Sequence, residues 1–405
     1  MTRNPNAWLG PLLAITLAQI AVAFLSRLAP TVAPAMAARL HWSVADIGML
    51  SSANAIGWSF FVLAGLPLVL RAGPIRSLQL GLVAGAAGAL LYAVPSSACA
   101  ILGSLLIGIS TGPQTAAGSD VLRRHAPAGS QNLVFSVKQA GVPMGGVLAG
   151  LLLPTLANSL GLVATFGLCA GLTIATLMAI QPQRRQLDAT RDRQQGIHPR
   201  VLLSVANLKR PLRVLVADAN LRRIAAAGGF LAVAQSVWFT FLISYLVLNQ
   251  GLSLTAAGAL FALMQAVSAF GRPAMGWLAD RLSANHILKA ACIASSAATA
   301  ALALVTPQWP HWVVVALMVV GGATVSSWNG VQIAQVAHLA RPGTVAESTT
   351  GATLLVAGAN IAGPALFGAI VALGGSFRIG FGVAAVCTLA GLLPLSKLSQ
   401  RQSGG

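Results

Sequence analysis

The fold class this sequence predicts is an all-α membrane protein, with twelve transmembrane helices in two six-helix pseudo-repeats. Three observations predict it. Hydrophobic residues fill 56% of 405 positions and charged residues only 8%, with a mean hydropathy of +0.78. That is too little charge to cover a soluble surface of this size. Apolar runs of about 20 residues, the length that crosses a ~30 Å hydrocarbon core, recur from end to end. Short motifs of the first half also return in the second at a nearly constant offset.

The spans fall at 8–30, 45–69, 77–95, 98–121, 131–155, 161–180, 222–248, 254–279, 286–306, 311–337, 348–373 and 378–396. Short turns rich in Pro, Gly and Ser separate most of them. The exception is the 41-residue segment 181–221, with eight Lys/Arg against three Asp. It divides the chain into a six-helix bundle over 1–180 and a second bundle with a short tail over 222–405. The first run, from Trp8 to about Ala29, is too long for a signal-peptide core and is kept as span one. Arg3, Arg71, Arg76, Arg123, Arg124, the linker, Arg281, Arg341, Lys397 and Arg401 all gather on one side. The positive-inside rule then puts both termini and the linker in the cytoplasm of a bacterial-type inner (plasma) membrane. Within the linker, "PRVLLSVANLKRPLRVLV" reads either as a helix along the inner membrane surface or as a solvated connector.

Other functional classes fit poorly. The net charge of +18 lacks an aromatic-interleaved basic domain, so it reads as a topology signal and not as a nucleic-acid surface. Cys99, Cys169, Cys292 and Cys387 have no paired spacing for a disulfide or a metal. No phosphate loop is present, and the six histidines sit at span ends or in loops. An intramembrane enzyme would need convergent catalytic groups that this pattern lacks. The chain reads as a protein without enzymatic activity or cofactor.

The internal repeat is specific. "WSVADIG" (42–48) enters span two and "LSLTAAG" (252–258) enters span eight, with Ser43 matching Ser253 at the helix N-cap and Gly48 matching Gly258. The loops after them carry "GLPLVLRAGPIR" (65–76) and "GWLADRLSANH" (276–286). Span five holds Gly141, Pro143, Gly145 and Gly146, and span eleven holds Gly363, Pro364 and Gly368. Glycines spaced by four let helices approach closely in lipid, and a proline permits a bend. Six-span repetition is the layout of a secondary transporter, with substrate bound near the midplane between the halves.

These motifs resemble the major facilitator superfamily over essentially the whole chain. Gly276, Asp280 and Arg281 are similar to its loop motif, Gly-x-x-x-Asp-Arg, which helps latch the cytoplasmic side. Asp120, spaced to pair with Arg123 and Arg124, joins that latch. The first-half copy keeps Gly65, Arg71, Gly73 and Arg76 but has Val69 where the motif has Asp. The Gly-Pro pattern resembles the one called antiporter-type, which recurs in importers. The resemblance implies the major facilitator fold, alternating access, and a monomer that carries a small molecule.

The charges suggest which molecule. None of the seven acids (Asp46, Asp120, Asp188, Asp192, Asp218, Asp280 and Glu347) lies at mid-span. A coupling proton would therefore use Asp46 or Asp120 at the mouths, or another group. Basic residues do lie within spans. Lys138 is eight residues past a helix start near Ser130, and Arg272 is eight before Asp280, each ~12 Å deep. Arg27 lies nearer the outer mouth of span one. A cation at helix centre costs about 2.5–3.5 kcal/mol, so it faces a wet path or a partner. With no acid at that depth, the substrate supplies the negative charge: a small organic anion, and specifically a carboxylate.

"GRPAMG" (271–276) is similar to the Arg-Pro element in span eight of monocarboxylate and oxalate carriers, and Arg27 before Pro30 resembles organic-anion members. Gln139, Gln235, Gln265, Asn329 and Asn360 are polar candidates along the path, with Trp328 as an aromatic wall. Competing readings stay open: Arg272 reaches Asp280, Arg27 snorkels outward, or Lys138 bonds carbonyls of a bent neighbour. A drug/proton antiporter-type multidrug exporter is the alternative cargo class. Such pumps favour aromatic pockets and an embedded acid, whereas aromatics here are 6%.

Overall fold

Backbone in hydrocarbon must satisfy every N–H and C=O internally, so apolar runs of this length become helices. In the computed structural model, which describes residues 8–125, 131–189, 191–341 and 343–398, ten helical stretches are long and apolar enough to cross a membrane. One of them, Ser136–Leu187, contains two spans that part at Gly161, where φ is 78°. The shorter helix Leu9–Leu25 supplies span one. The chain is thus a multi-pass membrane protein of twelve spans in two sets of six.

Several spans are built in pieces that hydropathy does not reveal. Span one runs over Leu9–Leu25, pauses at Ser26 and Arg27, and resumes as Leu28–Thr31. The stretch after it, expected to be a turn, is another helix, Ala33–Leu40. Its alanine-rich run has high helix propensity and carries a proline in its first turn, and His41 closes it in the left-handed region at φ 56°. Span two breaks at Gly65, between Ile47–Ala64 and Leu66–Ala72. Span four breaks at Gly112, between Ser97–Thr111 and Pro113–His125. A proline follows each of these two breaks in the first turn, where its missing N–H costs no helix bond. Span ten divides at residues 325–328, between His311–Thr324 and Asn329–Leu339. The others are continuous or nearly so: Pro74–Tyr92, Ala219–Leu248, Leu254–Leu282, Ala284–Leu304, Val345–Ala372, and Phe377–Leu389 with Leu392–Ser396.

Both expected serine caps are present, in different forms. The Ser253 hydroxyl accepts the Ala256 N–H at 3.2 Å. At Ser43 the N–H and hydroxyl both donate to Asp46 Oδ2, at 2.8 and 2.7 Å, so that carboxylate is engaged in a cap.

Glycine makes the contacts between the halves. Spans five and eight run antiparallel, with Gly146 on Gln265 and Gly150 on Gly258 and Ala262. A Cβ on Gly150 would stand 2.5 Å from the Gly258 carbonyl oxygen, so only glycine permits this approach. Spans two and eleven form the second seam. There, Cβ atoms on Gly48 and Gly368 would each stand 2.5 Å from a carbonyl, those of Pro364 and Ala45, and Ser52 Oγ donates to the Ile361 carbonyl at 2.6 Å. The glycines of span five divide between two tasks. Gly141 and Gly145 face Gln19 and Ala23 of span one, inside the first half, while Gly146 and Gly150 face the second half. Both seams lie toward the span ends remote from the linker. On the linker side of these contacts, Gly276 and Gly358 have open space where a Cβ would stand.

The linker is neither a free connector nor simply a surface helix. Its helix Val205–Ala217, capped by Ser204, lies against span eleven. Arg210 pairs with Glu347 at 3.2 Å, and Gly351 lies beneath the Pro211 carbonyl. The portion just after span six docks on the first half instead. Asp188, 2% exposed, accepts the N–H groups of Ile75 at 2.7 Å and Arg76 at 3.1 Å, capping span three. Burial pushes this carboxyl up from its ordinary range, opposed by those two N–H groups and by Arg184 and Arg191. Arg71 donates to the carbonyls of Arg193 and Gln195 at 3.0 and 2.8 Å. The first-half loop, which has Val69 where an acid was expected, thus receives a carboxylate from the linker.

Candidate functional site

Lys138 lies on span five, one turn before Gly141, and is only 6% exposed. Its side chain runs over Gly118 of span four, beside Ile15 of span one; a Cβ on Gly118 would stand 3.0 Å from Lys138 Cε. No hydrogen bond or ion pair joins its ammonium to a described residue. Arg272 is half-buried, and its Nε is buried without a hydrogen-bond partner among the described residues. The reach from Arg272 to Asp280 is not made; Asp280 is exposed and forms no ion pair among those residues.

Helix geometry places these two cations at one level. Gly146 abuts Gln265 across the seam. Lys138 precedes Gly146 by eight residues, and Arg272 follows Gln265 by seven. In antiparallel helices both therefore lie ~10–12 Å to the linker side of that contact. Arg27, at the pause in span one, crosses to the second half, where its guanidinium sits 4.0 Å from the ring centroid of Phe239.

The acids are all occupied or placed elsewhere. Asp120 pairs with Arg124, Asp188 caps span three, Asp192 accepts from Gln194 N, Asp218 caps span seven, and Glu347 pairs with Arg210. None pairs with Lys138, Arg27 or Arg272 among the described residues.

The remaining candidates separate. Gln235 and Asn329 form a reciprocal amide pair between spans seven and ten, at 3.1 and 3.3 Å. Gln265 is buried at the seam and accepts from Ser326 Oγ at 3.4 Å. Asn360 is half-buried, and Gln139 is exposed, about 100° around the helix from Lys138. Trp328 corrects an expectation. It is fully buried in the second-half core, with its indole N–H on the Val325 carbonyl at 3.0 Å, because the break at 325–328 turns the ring inward. It walls no path.

Arg281 stacks on Trp277 of its own helix at 3.9 Å, and Asp120 engages Arg124. The side chain of Arg123 lies outside the described residues. Pro143 is buried, as are Gly363, which faces Ser236 Oγ, and Pro364.

Two residues stand beside the cations without having been singled out by pattern. Phe239 supplies the ring under Arg27, and Gly118 supplies the room for Lys138. Only Gly118 left a trace, as the small residue in "AAGSD" (116–120).

The chain belongs to the Major Facilitator Superfamily, whose family model matches residues 15–359. An uncharacterized MFS-type transporter of Mycobacterium tuberculosis, strain CDC 1551 / Oshkosh, is 26% identical over 303 residues, 71% of this chain and 63% of that protein. Its counterpart in strain H37Rv matches to the same extent. The chain therefore spans less than two thirds of the length of these curated relatives. Among solved structures, the nucleoside transporter NupG superposes with a TM-score of 0.76 at 14% identity, covering 96% of this chain and 99% of that one. A bacterial homolog of the human lysosomal transporter Spinster, inward-facing and unoccupied, gives 0.72 at 17%, covering 97% and 95%. The peptide transporter POT in complex with sulfate gives 0.74 at 16%, covering 95% and 94%. At these identities the likeness is one of fold.

Proposed function

We propose that this chain is an alternating-access carrier of a small organic anion, a carboxylate, in a bacterial inner membrane with its termini and linker in the cytoplasm. One observation carries the reading. Lys138 and Arg27 from the first half and Arg272 from the second lie within the spans with no acid opposite them among the described residues. Cations at such depth are costly unless something negative meets them. A carboxylate offers two acceptor oxygens to the fork of Arg272 and a point of attachment to Lys138. A positive field of this kind opposes a cationic drug, which argues against a multidrug exporter.

Contacts at the seams remote from the linker, with room on the linker side, correspond to an inward-facing carrier. Rocking of residues 1–180 against 222–396 about the glycine seams would expose the cations to the opposite side. The nucleosides and peptides named for the structural neighbours are cargoes of those proteins, and at such low identity they do not transfer.

The test is a thermal-shift screen of the purified protein. A cognate carboxylate at 100 times its Kd is expected to raise the melting temperature by about 3 °C, from a linkage of ~2.7 kcal/mol. Neutral and cationic compounds of matching size are expected to leave it unchanged. Stabilisation by cations with none by anions would overturn the reading.

A further inference from the structure

A second basic site lies at the linker end of the first half, where span six gives way to the linker. A pocket of about 810 Å³ opens there, lined by Arg184, Arg185, Arg191 and Arg193 together with Gln181 and Asp188. Its one carboxylate is already engaged. Asp188 accepts from the backbone N–H groups of Ile75 and Arg76 and lies 3.9 Å from Arg184 Nε. Arg185 and Arg193 have no ion pair among the described residues and are exposed on the pocket rim. Four arginines therefore line a pocket that holds one carboxylate, whose acceptor capacity is largely used.

The location adds a second constraint. Gln181 follows Ile180, the buried last residue of span six, so the pocket sits at the membrane boundary. Below it the outward side of span six exposes Leu168, Leu172 and Met178, at 52%, 54% and 63%. An arginine-lined pocket bordering the apolar surface of a span suits a phosphorylated head group whose acyl chains lie in the hydrocarbon.

We propose that this pocket binds a phosphate group. The planar forks of several arginines suit the oxygens of a phosphate, and the position at the membrane boundary favours an anionic phospholipid over a soluble phosphate as the source. The site is independent of the central cations, so it stands whether or not the cargo is a carboxylate.

The test titrates the purified full-length protein with phosphatidylglycerol, phosphatidylcholine and inorganic pyrophosphate. Native mass spectrometry reads bound lipid, and calorimetry reads pyrophosphate. The wild type is expected to retain phosphatidylglycerol in preference to phosphatidylcholine, and Arg185→Gln/Arg193→Gln to bind it about tenfold more weakly. The charge-matched pair Lys209→Gln/Arg213→Gln, on the other linker helix, is expected to keep wild-type binding. Arginine-dependent pyrophosphate binding that displaces lipid would make a soluble phosphate the source, and its absence would make the head group the source; either upholds phosphate recognition. Wild-type affinity for both anions in the Arg185/Arg193 variant would overturn it. So would an equal loss in the charge-matched pair, which would reduce the effect to general surface charge.

Discussion

Arg272→Ala is expected to weaken carboxylate binding by roughly 10- to 100-fold and, at the same time, to raise the melting temperature of the unliganded protein. A hydrogen bond to a charged group contributes about 1.5–3 kcal/mol, which sets the loss in affinity. The gain in stability has a separate cause. In the ligand-free protein Arg272 holds a buried Nε without a partner among the described residues, so its removal relieves an uncompensated charge within a span. A residue with a purely structural role would show the opposite pattern, with stability falling on truncation. Arg272→Lys keeps the charge without the planar fork and is expected to lose about tenfold in affinity with little change in stability. Lys138→Ala is expected to behave as Arg272→Ala does, and the double variant to lose less than the product of the two if both cations meet one anion. Calorimetric binding and thermal unfolding of the four variants check these expectations together.

Gly258→Val has the second largest expected effect, acting on conformation and not on binding chemistry. Its Cβ would strike the Gly150 carbonyl and Pro154, at a seam where a Cβ on Gly150 would already be 2.5 Å from the Gly258 oxygen. Overpacking of this kind costs about 1–3 kcal/mol. Both colliding groups are held by helix backbone, so spans five and eight must separate. The state closed at that end should lose population by roughly 10- to 100-fold, and transport should fall with it. Ala262, buried at the same contact, reports the change once replaced by cysteine in a background lacking the four native cysteines. Its labelling by an impermeant maleimide from the side opposite the linker is expected to rise with Gly258→Val. Unchanged labelling together with undiminished flux would refute the seam.

Span number and type were legible because hydrocarbon imposes a length and an internally bonded backbone, and both leave a run in the sequence. The interruptions at Gly65, Gly112 and 325–328 were not, since hydropathy continues smoothly through them. The helix Ala33–Leu40 was missed for a related reason: Pro30 and Pro34 suggest a turn, yet proline is at home in a helix's first turn. The depths of Lys138 and Arg272 follow from a rise of ~1.5 Å per residue, which needs only a helix and a starting point. Which way a neighbour faces does not follow. Gln139 and Trp328 sit at suitable depth, but one is exposed and the other is sealed in the second-half core. The split of Gly141 and Gly145 from Gly146 and Gly150 likewise depends on which helices flank span five. So does the docking of Asp188, 113 residues beyond Ile75, at the loop that holds Val69 in place of an acid.

In the proposed mechanism a carboxylate crosses the membrane by way of Lys138 and Arg272. Counterflow in proteoliposomes tests it most directly, with labelled carboxylate outside and an excess of the same unlabelled compound inside. The wild type is expected to accumulate label transiently, neutral and cationic solutes are expected not to accumulate, and Lys138→Ala/Arg272→Ala is expected to lose accumulation. Wild-type counterflow in that double variant would contradict the mechanism.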